Sequence, residues 1–194
     1  MKILYLGYSN NKITSFFKQN SIDYVQMETK IDDTGFITEN KFDMIISYRY
    51  RFILKKNVID LNLPMINLHI SYLPWNRGTL PNLWSFLENS PKGITIHYID
   101  EGIDTGDIIY QEEFNFDENV TLAESYNILN ESIQDLFIKN YSDIIQNKCP
   151  RKKQDKIAGS FHKLSDATNI IKKLEKNIGW NIKVSHLQSF SFTK

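Results

Sequence analysis

Three short, almost unbroken apolar runs dominate the first part of the chain: "KILYLGYS" from Lys2, "FDMIISYRY" from Phe42 and "PMINLHIS" from Pro64. Runs this short and this rich in Ile, Leu and Met read as strands buried on both faces. Such strands need helices on either side. Helical spacing is present between them, at Ile13, Phe16 and Phe17 of "NKITSFFKQN", and "IDYVQMET" alternates as a further strand would. The alternation of strand and helix predicts an α/β fold with a mainly parallel sheet. Later, "GITIHYID" and "GDIIYQEEF" follow one another closely around the turn "DEGIDTG", which predicts at least one antiparallel pair.

Three further helices are expected. "PNLWSFLEN" opens on Pro81, a residue suited to a first helical turn, and repeats Leu83, Trp84 and Leu87 on one side. Thr121 and Glu124 have capping-box spacing, and apolar residues recur at three- and four-residue steps from Leu122 to about residue 147. After "KCPRKKQ", the segment "SDATNIIKKLEKNIG" reads as another helix, with Ser165 before it and Gly179 after it.

Charge divides the chain at that break. Residues 1–147 carry 12 basic and 20 acidic side chains, and residues 148–194 carry 11 and 3. The expected organisation is therefore a catalytic-size domain over 1–147 and a short basic extension with one helix over 148–194. That extension can dock on the acidic remainder, stay solvated or bind phosphate. The net charge of the whole chain is zero, which argues against a surface built for nucleic acid. Cys149 is the one cysteine, so no internal disulfide and no Cys/His metal spacing is expected. The first apolar run is too short for a signal peptide, and no stretch reaches the ~18 apolar residues of a spanning helix. The expected location is the cytoplasm, with no membrane partner.

Polar residues at the ends of buried strands point to chemistry. Asn67 and His69 lie two apart in "NLHIS", so one face of a strand carries both, about 7 Å apart. In open α/β sheets ligands bind outside the carboxyl ends of strands. An amide there can donate to an oxygen gaining charge, and an imidazole can donate and also change protonation near neutral pH. The alternative is a capping Asn and a core His. Asp104 sits between two glycines in a turn, where Asp is common for conformational reasons alone. Taken together, an amide, an imidazole and a carboxylate can support acyl transfer. His97 alternates with apolar neighbours and reads as structural, and Trp84 reads as core.

"NLHISYLPWNRG" followed by "GITIHYIDEGIDTGDII" resembles the catalytic core of the folate-dependent formyltransferases. The clear resemblance covers about residues 42 to 115. It implies a Rossmann-like formyltransferase domain with a mostly parallel sheet flanked by helices, followed here by a short C-terminal helical extension. It implies transfer of a formyl group from N10-formyltetrahydrofolate, as cosubstrate and without a metal, to an amine. Asn67, His69 and Asp104 match the family's catalytic positions. In that chemistry Asn67 and His69 steady the oxyanion, and Asp104 or a held water helps the proton move to N10. The resemblance also implies that folate lies along Arg49, Tyr50, Arg51, Phe52 and Ile53 and along Asp100, Glu101 and Gly102. The acceptor is expected near Tyr48, Asn76, Arg77 and Gly78.

The branch follows from what the chain lacks or keeps. "GYSNNK" after the first strand is a poor copy of the glycine-rich phosphate turn of the glycinamide ribonucleotide enzymes. The residues after 147 are too few for the C-terminal barrel of methionyl-tRNA formyltransferases. "SYRYRFIL" and "HISYLPWNRGTLPNLWSF" resemble the sugar N-formyltransferases, which act on nucleotide-linked amino sugars used in bacterial surface polysaccharides such as O-antigen and lipopolysaccharide. The expected acceptor is a nucleotide-linked amino sugar such as dTDP-4-amino-4,6-dideoxyglucose, and the expected assembly is a homodimer. The alternatives are a methionyl-tRNA formyltransferase-like enzyme without the barrel and a non-catalytic folate or nucleotide-sugar binding protein. His162 and Lys163 of "GSFHK" are placed to reach a diphosphate or to lie in a solvated tail.

Overall fold

The structure is a computed structural model that describes residues 1–155, 158–177 and 179–187. The elements run β1 (Lys2–Gly7), α1 (Lys12–Gln19), β2 (Asp23–Met27), α2 (Gly35–Asn40), β3 (Met44–Tyr48), α3 (Lys56–Ile59), β4 (Met65–His69), β5 (Arg77–Gly78), α4 (Pro81–Leu87), β6 (Lys92–Tyr98) and β7 (Ile108–Phe114), then α5 (Leu122–Lys139), α6 (Tyr141–Ile145), β8 (Phe161–His162), α7 (Leu164–Asn177) and α8 (Val184–Leu187). Six strands form one sheet in the order β2-β1-β3-β4-β6-β7, and β5 pairs with β8.

The first four strands of the sheet are parallel, as their apolar runs predict. Ile3, Leu4, Leu6, Ile45, Ile46 and Ile66 are fully buried, because both faces of these strands are covered. The direction then reverses. Ile99 N donates to the carbonyl of Met65, so the end of β6 lies beside the start of β4 and the two strands are antiparallel. Tyr98 N donates to the carbonyl of Asp107, which begins the antiparallel return into β7. The result is the mixed sheet that the sequence pattern implies, Rossmann-like as the family resemblance implies.

The chain forms two compact units. The first comprises residues 1–69, 96–110 and 133–153, and the second comprises 70–95, 111–132 and 154–194. In the first, Leu4, Leu6, Ile37, Phe42, Ile45 and Met65 make one core cluster. An aromatic group also forms there around Phe17, whose ring lies 5.1 Å from Tyr24 and 6.2 Å from Phe137. In the second, Leu83, Phe86, Leu122, Ile170, Leu174 and Leu187 pack together. The amphipathic stripe of α7 is therefore core, on one side only.

Capping explains several boundaries. Asn11 Oδ1 accepts from Thr14 N at 2.9 Å and starts α1, and Thr121 with Glu124 forms the expected reciprocal box at α5. The single helix expected from 122 to about 147 is interrupted. Asn140 N bonds back to Leu136 and Phe137 carbonyls, its side chain takes the Leu136 carbonyl at 2.8 Å, and α6 starts afresh at Tyr141. An Asn at this position competes for the carbonyls that would otherwise propagate the helix. Parts of the basic extension, 156–157, 178 and 188–194, lie outside the described residues.

Candidate active site

β4 ends the parallel half of the sheet, and its period-two geometry sets Asn67 and His69 on one face. The antiparallel register of β6 brings His97 level with Asn67. The turn after β6 then returns a carboxylate to the same place. That turn is held by Asp100, whose Oδ1 accepts from Gly102 N at 3.1 Å and from Thr105 Oγ1 at 2.6 Å. Asp104 adopts a left-handed backbone conformation, with φ of 54°. Asp tolerates this region better than most side chains. Gly106 must be glycine, since a Cβ there would collide with the Tyr98 carbonyl.

The four side chains converge within the first unit. Asn67 Nδ2 donates to Asp104 Oδ1 at 3.1 Å and lies 3.2 Å from His97 Nε2. His97 Nε2 is 3.4 Å from Asp104 Oδ1, and His69 Nδ1 is 3.7 Å from Asp104 Oδ2. The rings of His69 and His97 meet edge to face at 6.3 Å. His69 and His97 are buried, and the Asp104 side chain is 12% exposed. One carboxylate, one amide and two imidazoles are thus held within reach of one another. Such a cluster supplies hydrogen-bond donors and a proton relay at one small spot.

The alternation of His97 with apolar neighbours predicts a structural residue, and the structure adds a second aspect. It is buried, yet its ring is part of the polar cluster. The signal was the face it shares with Thr95, opposite Ile94, Ile96 and Tyr98. Reading it required the antiparallel register with β4, which spacing within one strand does not contain.

The segment after β3 is built partly for support. Tyr50 Oη donates to the Thr29 carbonyl at 2.8 Å and accepts from Ile31 N at 3.1 Å. Burial raises its pKa above the ordinary phenol value. Arg49 and Arg51 lie over the Tyr8 ring at 5.4 and 5.3 Å, and Phe52 meets Tyr50 edge-on. Tyr48 is buried at the end of β3. Phe52, Ile53 and Ile103 leave apolar surface exposed, Ile53 most of all at 70%. Glu101 forms an ion pair with Lys56 of α3, linking the turn that carries Asp104 to the segment after β3.

Asn76, Arg77 and Gly78 belong to the second unit. Asn76 is fully buried: its Nδ2 donates to Ser90 Oγ at 2.8 Å, and its Oδ1 accepts from Ser160 Oγ at 3.2 Å. Arg77 donates to Gln154 Oε1 from Nε at 3.1 Å and from Nη2 at 2.9 Å. Gly78 pairs with His162 in the β5–β8 ladder. His162 is buried and not solvated. Its ring stacks on Trp84 at 4.0 Å and 7°, and Nε2 is 3.2 Å from Glu88 Oε2. The same unit contains a pocket of about 320 Å³ whose wall includes Ile70, Pro81, Leu122, Tyr126 and Trp180. Its wall is fixed by Asn82, whose Nδ2 bonds the Leu122 carbonyl and Ser125 Oγ.

Among the described residues no group of three or more His, Cys, Asp or Glu could hold a metal ion, and no helix is long and apolar enough to cross a membrane.

Comparison with known proteins gives a consistent family. Residues 8–140 match the formyl transferase family. The formyltransferase PseJ from Anoxybacillus kamchatkensis, solved in complex with UDP-4,6-dideoxy-4-formamido-L-AltNAc and tetrahydrofolate, is 43% identical with a TM-score of 0.89, over 96% of this chain and 97% of that one. A 4-N formyltransferase from Francisella tularensis is 26% identical with a TM-score of 0.74, covering 87% of this chain and 78% of that one. Methionyl-tRNA formyltransferase of Clostridium tetani is 32% identical over 76% of this chain and 46% of its own length. The chain thus spans about half the length, or less, of the curated relatives it matches.

Proposed function

The chain belongs to the formyl transferase family, and from that premise we propose that it moves a formyl group from N10-formyltetrahydrofolate to the 4-amine of a nucleotide-linked 4-amino-4,6-dideoxyhexose. The observation that carries this reading is the meeting of Asn67, His69 and Asp104 in a chain 43% identical, along almost its whole length, to a formyltransferase solved with such a product. That relative's ligand favours a UDP-linked sugar over the dTDP-linked one expected from the sequence.

The donor supplies a formyl carbon attached to a nitrogen that leaves once protonated. Two segments of the first unit suit it: exposed Phe52, Ile53 and Ile103 offer apolar surface to a planar ring, beside turns rich in backbone polar groups. His69 keeps Nδ1 toward Asp104, which leaves Nε2 to donate to the formyl oxygen as it gains charge. Asn67 donates to the same oxygen through its amide. The neutral amine adds to the formyl carbon, and Asp104 accepts the proton of the ammonium so formed and returns it to N10, directly or through water. One C–N bond forms, one breaks, and the proton passes from the new amide nitrogen to the departing one. Each atom is thereby accounted for without a redox step.

A second reading is transfer to methionyl-tRNA, favoured by the curated relatives at 32–39% identity. One assay separates the two. The protein is incubated with N10-formyltetrahydrofolate and a panel of UDP- and dTDP-linked 4-amino sugars, with initiator methionyl-tRNA in parallel. Formylation of one sugar nucleotide, detected by mass and strongly slowed by His69→Ala, is the expected result. Formylation of methionyl-tRNA alone would overturn the sugar assignment.

A further inference from the structure

The buried histidine of β6 has a fixed tautomer. His97 Nδ1 is 2.7 Å from the Tyr98 carbonyl, an atom that only accepts, so Nδ1 carries the proton. In the neutral ring Nε2 is then an acceptor, and it faces Asn67 Nδ2 at 3.2 Å. The amide orientation follows. Turned the other way, Asn67 would set its carbonyl oxygen against the Asp104 carboxylate and the His97 lone pair together.

The geometry says more about the two amide hydrogens. The distances 3.1 Å (Asn67 Nδ2 to Asp104 Oδ1), 3.2 Å (Asn67 Nδ2 to His97 Nε2) and 3.4 Å (His97 Nε2 to Asp104 Oδ1) form a triangle. By the cosine rule its angle at Nδ2 is about 65°, whereas the two N–H bonds of an amide diverge by about 120°. Both acceptors therefore cannot take separate, straight hydrogen bonds. One hydrogen directed between them makes a three-centre bond, roughly 30° off each line and within the tolerated range.

We propose that His97 is a positioning residue for the formyl-transfer site. Its Nε2 shares one Asn67 hydrogen with Asp104 and so aims the second hydrogen at the oxygen of the reacting formyl group. This rests on the transfer reaction proposed above, but the arrangement itself can be tested without any acceptor. His69 lies edge-on to His97, and Asp104 faces both rings, so the same carboxylate sets both imidazoles while Asn67 reads only one of them.

The experiment has a spectroscopic arm and a kinetic arm. In ¹⁵N NMR of the full chain, His97 is expected to show a protonated Nδ1 and an unprotonated Nε2. A proton on Nε2 would overturn the proposal, whatever the substrate proves to be. Kinetically, His97→Leu removes the acceptor while keeping bulk, and is expected to lower kcat roughly 10- to 100-fold with KM changed less than about threefold, a smaller loss than deleting an oxyanion donor. His97→Gln restores an acceptor oxygen at similar reach and is expected to recover kcat to within about tenfold of the parent. Equal losses in the two variants, or a change confined to KM, would sink the idea. If His97→Leu does not fold, the wild-type spectrum and the His97→Gln kinetics still decide. Absence of turnover by the parent protein would reject the transfer reading while leaving the tautomer result to stand or fall alone.

Discussion

Asp104 Oδ2 lies 3.7 Å from His69 Nδ1, beyond hydrogen-bond distance but close enough for charge to act. One oxygen of the carboxylate thus faces the His69 ring, and the other accepts from Asn67 Nδ2. His69→Ala is expected to lower kcat for formyl transfer by ~10²–10³, the usual loss for one oxyanion donor. Asp104→Asn is the cleaner probe of charge, because Asn also tolerates the left-handed backbone at this position, whereas Ala adds strain. Asp104→Asn should fold like the parent and lose kcat by a similar factor. A parent-like rate in either variant would remove the residue from the reaction.

Gly78 pairs with His162 at φ of 89°, and a Cβ there would run into the His162 carbonyl. Gly78→Ala is expected to cost about 2 kcal/mol or more, combining backbone strain with a displaced ladder. Urea denaturation checks this. An unchanged midpoint would mean that the β5–β8 pairing contributes nothing to stability.

Trp84 Nε1 is buried and has no hydrogen-bond partner among the described residues, although the indole stacks on His162. Leaving a buried donor unsatisfied typically costs about 1–3 kcal/mol. Trp84→Phe removes that donor, retains a stacking ring and opens a small void. The opposing effects predict a stability within about 1 kcal/mol of the parent, whereas Trp84→Ala should lose about 3–5 kcal/mol. A loss for the Phe variant as large as for Ala would show that the indole N–H matters.

Tyr5 is fully buried, and that burial raises its phenol well above the ordinary value, against the opposing hydrogen bond from Asn11 Nδ2 at 2.7 Å. The folded state thus holds the neutral form more strongly than the unfolded chain does. The associated stability is complete below the unfolded pKa near 10 and is lost as pH rises from there toward the folded value. Tyr5→Phe should cost about 1 kcal/mol at neutral pH through the lost hydrogen bond, yet lose less stability than the parent above pH ~10. Urea midpoints at neutral and alkaline pH test the crossing trend.

The central strands were legible because double-sided burial writes itself into uninterrupted apolar runs, as at Ile45–Ile46 and Leu4–Leu6. The shared face of Asn67 and His69 followed from strand periodicity. What escaped was pairing between distant segments. His97 entered the cluster through register with β4, and Gly78 met His162 through a two-residue ladder too short to leave a pattern. The break at Asn140 was hidden because the apolar spacing continues through it. Asn76 reads from the sequence as a polar loop residue able to contact the acceptor; its burial, and the amide's engagement by Ser90 and Ser160, arise from neighbours that loop composition does not reveal.

The ladder that joins Gly78 to His162 has a bearing on how the protein is made. On the ribosome, β1 to β4 emerge early and can begin their parallel pairing while translation continues. The partner of β5 is synthesised far later, so the Trp84 face waits uncovered until His162 arrives to lie on it. Nascent chains stalled short of that histidine should therefore display a sticky aromatic surface, the kind of feature that chaperones capture.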